Sequence, residues 1–158
     1  MLLTPHTMVG LAIGASISNP GIAVPLSFVM HFMGDLVPHW DFYSNTTDEQ
    51  RRVGWRPIAV MADLGLGVAV GMFFTLYALW VVGNTSLALN MFLCGVAAVL
   101  PDALAAPLMF TQKPNIISVV IGKIQSRLQF QAPIFWGLLT QVLITVFAFL
   151  VISNSLTQ

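Results

Sequence analysis

Seven ionisable side chains stand in or beside apolar segments that offer them no basic partner. They are His6, His31, Asp35, His39, Asp41, Asp63 and Asp102, and none of the apolar segments contains a Lys or Arg; Arg56 is the nearest candidate. An Asp placed inside a hydrophobic span costs about 2.5–3.5 kcal/mol on insertion scales. Such a carboxylate persists when it is protonated, solvated in a cavity, or neutralised by something the apolar segments do not carry. A divalent cation meets the last condition best. Mixed imidazole and carboxylate donors suit zinc first, with manganese or iron as alternatives, more than calcium. The expected ligands are His6, His31, Asp35, Asp63 and Asp102, with His39 and Asp41 as ligands or as proton carriers in catalysis. Seven groups exceed the needs of one closed site, which leaves room for two ions, or for one ion and a general base.

Spacing adds to the case. His31, Asp35 and His39 stand at i, i+4 and i+8, which puts them on one face of a helix, while Met30, Phe32, Met33 and Leu36 cover its other sides. Ordinary readings exist for some of the seven. His39 and Asp41 fit a helix end at the headgroups, Asp102 after Pro101 fits a polar helix end, and His6 fits an interfacial residue. Asp48 and Glu49 sit in a polar stretch and are expected to be solvated.

The elements that must position these groups are membrane helices. Of 158 residues, 57% are hydrophobic and 8% charged, with a mean hydropathy of +0.85. So apolar a chain cannot cover itself with polar surface, and the bilayer is its natural solvent. The pattern predicts an all-α polytopic membrane helix bundle in one domain, residues 1–158. About five transmembrane helices are expected, over residues 5–18, 22–38, 58–82, 86–110 and 133–152. The first two are short, and Thr4 with Pro5 suits the start of the first. Residues 116–130 alternate an Ile117, Val120, Ile121, Ile124, Leu128 face with a Ser118, Gly122, Gln125, Ser126, Gln129 face, the pattern of an amphipathic interfacial helix. His6, Gly10 and Gly14 recur as Asp63, Gly67 and Gly71 at an offset of 57, which fits either a parallel duplication of a two-helix hairpin or the common small-xxx-small spacing of membrane helices.

All six basic residues fall in two stretches: Arg51, Arg52 and Arg56, then Lys113, Lys123 and Arg127. Two spans separate them, so the positive-inside rule places both, and the N-terminus, in the cytoplasm of a bacterial or archaeal cell. Trp40, Trp55 and Trp136 then belong to the inner interface and Trp80 to the outer. All seven site candidates approach one leaflet. Zero net charge removes any nucleic-acid footprint. Cys94, the single cysteine, gives no disulfide framework. The opening residues lack the basic region of a secretory leader, so no cleaved leader is expected.

The opening Thr4-Pro5-His6 with Gly10 and Gly14, followed by Gly34-Asp35-Leu36-Val37-Pro38-His39-Trp40-Asp41, resembles the small bacterial membrane-bound metal-dependent hydrolases of the YdjM type. Over roughly residues 1–105 that resemblance implies a helical membrane hydrolase with a His/Asp metal site. Pro38-His39 stands where the family has Pro-Asp, Asp41 keeps its place, and the family's downstream Arg-x-x-Thr-His-Ser stretch is missing. Pro101-Asp102 resembles a second copy of the Pro-Asp element.

The expected function is an enzyme: a metal-dependent hydrolase acting at the cytoplasmic face on a lipid-linked substrate, with a phosphoester as the preferred bond. No nucleophile elbow, P-loop or dinucleotide fingerprint competes with it. The alternatives are a divalent-cation or proton transporter using the same cluster, and a metal-stabilised structural protein in which the cluster locks helices. Clustering towards one leaflet argues against transport, whose sites lie near the midplane. Membrane lipids are the expected surroundings, and a homodimer suits so small a scaffold.

Overall fold

Backbone amides inside hydrocarbon have no water to bond, so apolar runs close their hydrogen bonds on themselves as helices. The computed structural model describes residues 1–44, 46–51, 53–110 and 113–157. In chain order the helices are α1 (Leu3–Ser16), α2 (Pro20–Leu36), α3 (Asp48–Arg51), α4 (Trp55–Trp80), α5 (Thr85–Ala105), α6 (Pro107–Phe110), α7 (Ile116–Leu128) and α8 (Ile134–Leu156). Among the described residues there is no strand, only an isolated bridge between His39 and Gln131. The side chains of Asp48 and Glu49, expected to be solvated, and Arg52 of the first basic stretch lie outside the described residues.

Three helices, α4, α5 and α8, are long and apolar enough to cross a membrane, against the five expected. The shortfall is geometric. With 14 and 17 residues, α1 and α2 rise only about 21 and 26 Å at 1.5 Å per residue, short of a hydrocarbon core of about 30 Å. Their ends are fixed locally. Asn19 caps α2 by accepting from Gly21 N, and Pro38 forces Val37 out of the helical region (φ −71°, ψ 135°). The expected fourth span, 86–110, is also divided. Pro107 lacks the amide that would continue it, so α5 ends at Ala105 and a single turn follows.

An apolar cluster of Met8, Leu11, Phe74, Met91 and Ile152 is buried in the bundle, small and polar residues are buried beside it, and large apolar side chains also cover the exterior. On α2 the buried residues are Ala23, Ser27, His31 and Asp35, a stripe at intervals of four. Ile22, Val29, Met33 and Leu36 point outward. Helix α7 follows the same rule: Ser118 and Gln125 are buried while Ile116, Ile117, Val120 and Ile124 are exposed. Ser118 and Gln125 of its polar face therefore lie on the bundle, while Ser126 stays exposed. Exposed apolar area on this scale marks a surface that meets lipid. Trp55 and Trp80 stand at opposite ends of α4, about 38 Å apart by helical rise, which brackets a bilayer core.

At the centre is α5, with 44% of its apolar window buried against 17% for α4 and α8. It packs on α1, α2, α4 and α7. Contact with α1 requires glycine. A Cβ on Gly10 would lie 2.5 Å from the Cys94 carbonyl oxygen, and one on Gly14 would lie 2.8 Å from Met91 Cα. Asn90 completes the seam by donating to the carbonyls of Gly14 and Ile17, the free C-terminal acceptors of α1. The glycines at the repeat offset serve another seam: Gly67 and Gly71 both approach Thr7.

Gly10→Ala should therefore lower stability in detergent by about 1–3 kcal/mol through overpacking. Gly65→Ala, whose Cβ would meet nothing within 4 Å, should be neutral or mildly stabilising. Denaturant titration of both variants in the same micelle checks this. Equal midpoints would remove the close α1–α5 seam.

Candidate metal centre

The short helices bring their polar ends together. His6 lies in the first turn of α1, His31 and Asp35 in the last two turns of α2, and Asp102 near the C-terminus of α5. The His6 and His31 rings stack at 4.0 Å between centroids. One ligand atom from each of His6, His31 and Asp102 lies within 4.8 Å of the others, a group that can hold a metal ion. Asp35 adjoins it, with Oδ1 3.3 Å from His6 Nε2 and Oδ2 3.6 Å from His31 Nε2. Both histidines and Asp35 are buried to 1% exposure.

The hydrogen bonds assign the state of His31. Its Nδ1 is 2.8 Å from the Ala98 carbonyl, which can only accept, so Nδ1 carries the proton. Nε2 then presents a lone pair. Gln125 Nε2 donates to it at 3.0 Å and to Asp102 Oδ1 at 2.6 Å. A backbone carbonyl behind an imidazole is the support that metal-ligating histidines use. Gln125 was not foreseen as a site residue. The signal was the Ser118, Gly122, Gln125, Gln129 stripe on α7, which in a bilayer faces protein instead of water.

The amino group of Met1, which is not a side chain, also belongs to the cluster. It lies 2.5 Å from Asp35 Oδ1, so Asp35 has a cationic partner within the chain. Asp102 has no such partner among the described contacts; it receives Gln125 and faces the His31 ring at 3.6 Å.

Asp63 does different work. Its carboxylate accepts from Leu3 N at 2.6 Å, Thr4 N at 3.2 Å and Thr4 Oγ1 at 2.7 Å. These are free N-terminal amides of α1, which starts at Leu3, before the expected Thr4 cap. Asp63 thus caps α1 from α4 and fixes the helix that carries His6. Gln141 of α8 adds to this by accepting from Leu2 N and donating to the Trp40 carbonyl.

His39 does not share the helical face of His31 and Asp35, because α2 stops three residues before it. It lies in extended chain, where its amide donates to the Phe130 carbonyl and its carbonyl accepts from Ala132 N. Nδ1 bonds the Val37 carbonyl at 2.8 Å, which leaves Nε2 buried and without a hydrogen-bond partner, 3.9 Å from Asp41 Oδ2. Asp41 Oδ1 accepts from Tyr43 N and Ser44 Oγ. A pocket of about 340 Å³ connects the groups: Asp41, Asp63, Asp102, Gln125 and Gln129 all line it.

Two outcomes follow from these bonds. Asp63→Ala should cost about 1–2 kcal/mol, the loss of a helix cap, with metal per chain unchanged by elemental analysis; lost metal would return Asp63 to the ligand set. Burial holds His39 below its ordinary value of 6.5. The unfolded chain therefore binds the proton more readily, and the native state loses stability as pH falls below about 6.5. His39→Gln should lessen that acid slope between pH 7.5 and 5.5, with His6, held down to about 3 by its burial, supplying the remainder, and an unchanged slope would place the titration elsewhere. Compared with protein-family models, curated proteins and solved structures, the chain matches none.

Proposed function

We propose that this chain is a membrane-embedded metal-dependent hydrolase whose substrate is a lipid-linked phosphoester. The observation that carries the reading is the convergence of His6, His31 and Asp102 beside the 340 Å³ pocket. Two imidazoles and a carboxylate form a donor set for zinc, with manganese or iron next. His31 Nε2 faces the group and accepts from Gln125, a bond that an incoming metal ion would replace. A divalent cation held there supplies Lewis-acid polarisation of a phosphoryl oxygen and a lowered pKa for water.

The chain's own residues supply the rest. Gln125 orients Asp102 and His31 together. Asp35, neutralised by the Met1 amino group, holds the His6 ring from behind. Asp41 lines the pocket and neighbours the free Nε2 of His39, which suits the pair to carry a proton away from the reacting centre. The basic stretches lie at this same end of the bundle, so the positive-inside rule assigns the site to the cytoplasmic face and the chain to the cytoplasmic membrane of a bacterium or archaeon. The resemblance to the YdjM-type hydrolases belongs to the same proposal, as does a homodimer.

A structural junction is the second reading, and one observation favours it. The cluster ties α1, α2, α5 and α7 together through Asp35, His31 and Gln125 with the Met1 amino group as counter-ion. Metal content and turnover separate the two. Purified protein should contain bound zinc, manganese or iron and release phosphate from a panel of phospholipid phosphomonoesters. Asp102→Ala should abolish both. Gln125→Leu should weaken metal binding about 10–100-fold, the usual effect of losing an outer-shell partner. Metal without turnover on any lipid would favour the junction, and absence of metal from the intact protein would end the hydrolase reading.

A further inference from the structure

A second, apolar cleft meets the metal centre from the lipid side. Helices α2 and α8 each pack on α1 and leave between them a cleft of about 660 Å³. Ala12 and Ile13 of α1 form its floor, Leu26 and Met33 of α2 one wall, and Leu143 and Phe147 of α8 the other. The four wall residues are exposed, so the cleft opens sideways on the surface that meets hydrocarbon.

Its two ends differ. One end, at Ile17 and Leu26, has Ser16 as its only polar side chain, and that hydroxyl is bonded to the Ala12 carbonyl. The other is closed by Met1, Gly34 and Val37. At Gly34 the wall is one backbone thick: a Cβ there would lie 3.1 Å from His6 Cε1 and 2.9 Å from the Met1 side chain. Met1 lines both this cleft and the pocket that contains Asp102. From Leu26 to Val37 the α2 wall rises about 16 Å, close to half of a core of about 30 Å. The cleft thus has the length of one leaflet's acyl chain, an apolar far end, and an ionisable cluster at the end where a headgroup would sit.

We propose that this cleft holds one acyl chain of a phospholipid, with the phosphate-bearing end at the His6–Asp35 side. The inference rests on the hydrolase reading for the role of the headgroup, and it deepens that reading by assigning the substrate's chain a site of its own. Hydrocarbon gains little by leaving bilayer for an apolar cleft. Selectivity therefore comes from the polar end, and the cleft sets the direction from which that end arrives.

The test uses the full chain in phosphatidylglycerol and phosphatidylethanolamine vesicles that contain phosphatidic acid with a mid-chain diazirine. After irradiation, adducts mapped by mass spectrometry should favour Ile13, Met30 and Phe147 over Leu66 and Phe73 on the outer face of α4. The expected excess is about tenfold, the enrichment that one contact between the phosphate and a metal ion held by His6, His31 and Asp102 would confer. Met33→Trp and Leu143→Trp, two exposed wall positions that leave the core intact, should each remove most of the excess without changing metal content. Equal labelling of the cleft and α4 would mean ordinary surrounding lipid and would overturn the site. So would an unlabelled cleft in a chain that sediments as a dimer, because a second copy would then cover it. Selective labelling in a protein that binds no metal would uphold the chain site and end the hydrolase reading. Metal and turnover with uniform labelling would do the reverse.

Discussion

A carboxylate buried at the end of an apolar helix must be met by donors within the same few ångströms, and Asp35 is that carboxylate here. Its partners arrive from separate places: the Met1 amino group, His6 on α1, and His31 one turn earlier on α2. Meeting it requires the N-terminus of α1 to lie against the C-terminus of α2. His31 in turn needs an acceptor for Nδ1–H and finds the Ala98 carbonyl of α5. Gln125 of α7 then bridges His31 to Asp102. Four helices are held in register by one chain of polar contacts. Losing one partner of a buried charge costs about 3–5 kcal/mol, whereas the glycine and alanine contacts of the same helices are individually small.

The bilayer explains why the remainder of the bundle can be built so lightly. Lipid tails are as apolar as leucine, so helices gain nothing by hiding large side chains from them. What draws them together is close packing and hydrogen bonds. Gly10 and Gly14 let α1 touch the α5 backbone, and Asn90 satisfies carbonyls that α1 would otherwise leave unpaired. The polar stripe of α7 obeys the same logic. On a soluble protein, Ser118 and Gln125 would face water and the isoleucines would face the core; here Ser118 and Gln125 are buried and Ile116, Ile117 and Ile124 are exposed.

Much of this was legible in the sequence. Apolar runs and Pro, Gly and Asn breaks located the main helices within a few residues, because backbone satisfaction in lipid leaves little choice but helix. The i, i+4 spacing of His31 and Asp35 placed both on one face. Other features were not legible, for physical reasons. His39 looked like the next residue of that face, but Pro38 ends the helix first. Asp63, expected as a ligand under two turns into its helix, has its carboxylate on amides some sixty residues earlier, a contact that only tertiary structure creates. The Met1 amino group is no side chain and escapes any tally of charged residue types. The span count was too high because α1 and α2 are apolar enough for hydrocarbon but too short to traverse it.

Charge decides what the pocket can receive. With Gln125 Nε2 placed against His31 Nε2, and with the Met1 amino group on Asp35, no Lys, Arg or free amino group among the described contacts answers Asp102. The pocket wall adds Asp41 and Asp63, and among the described residues no Lys or Arg lines it. Three carboxylates around one cavity make its potential negative, and low-dielectric walls strengthen that field. Such a pocket attracts cations and repels a free phosphate. An anionic phosphoester can therefore bind only with a cation already present, so metal and substrate affinities must be linked in the hydrolase reading. The field opposes a tethered phosphate as much as a free one, but a hydrocarbon chain raises the headgroup's local concentration beside the site, which bulk phosphate lacks.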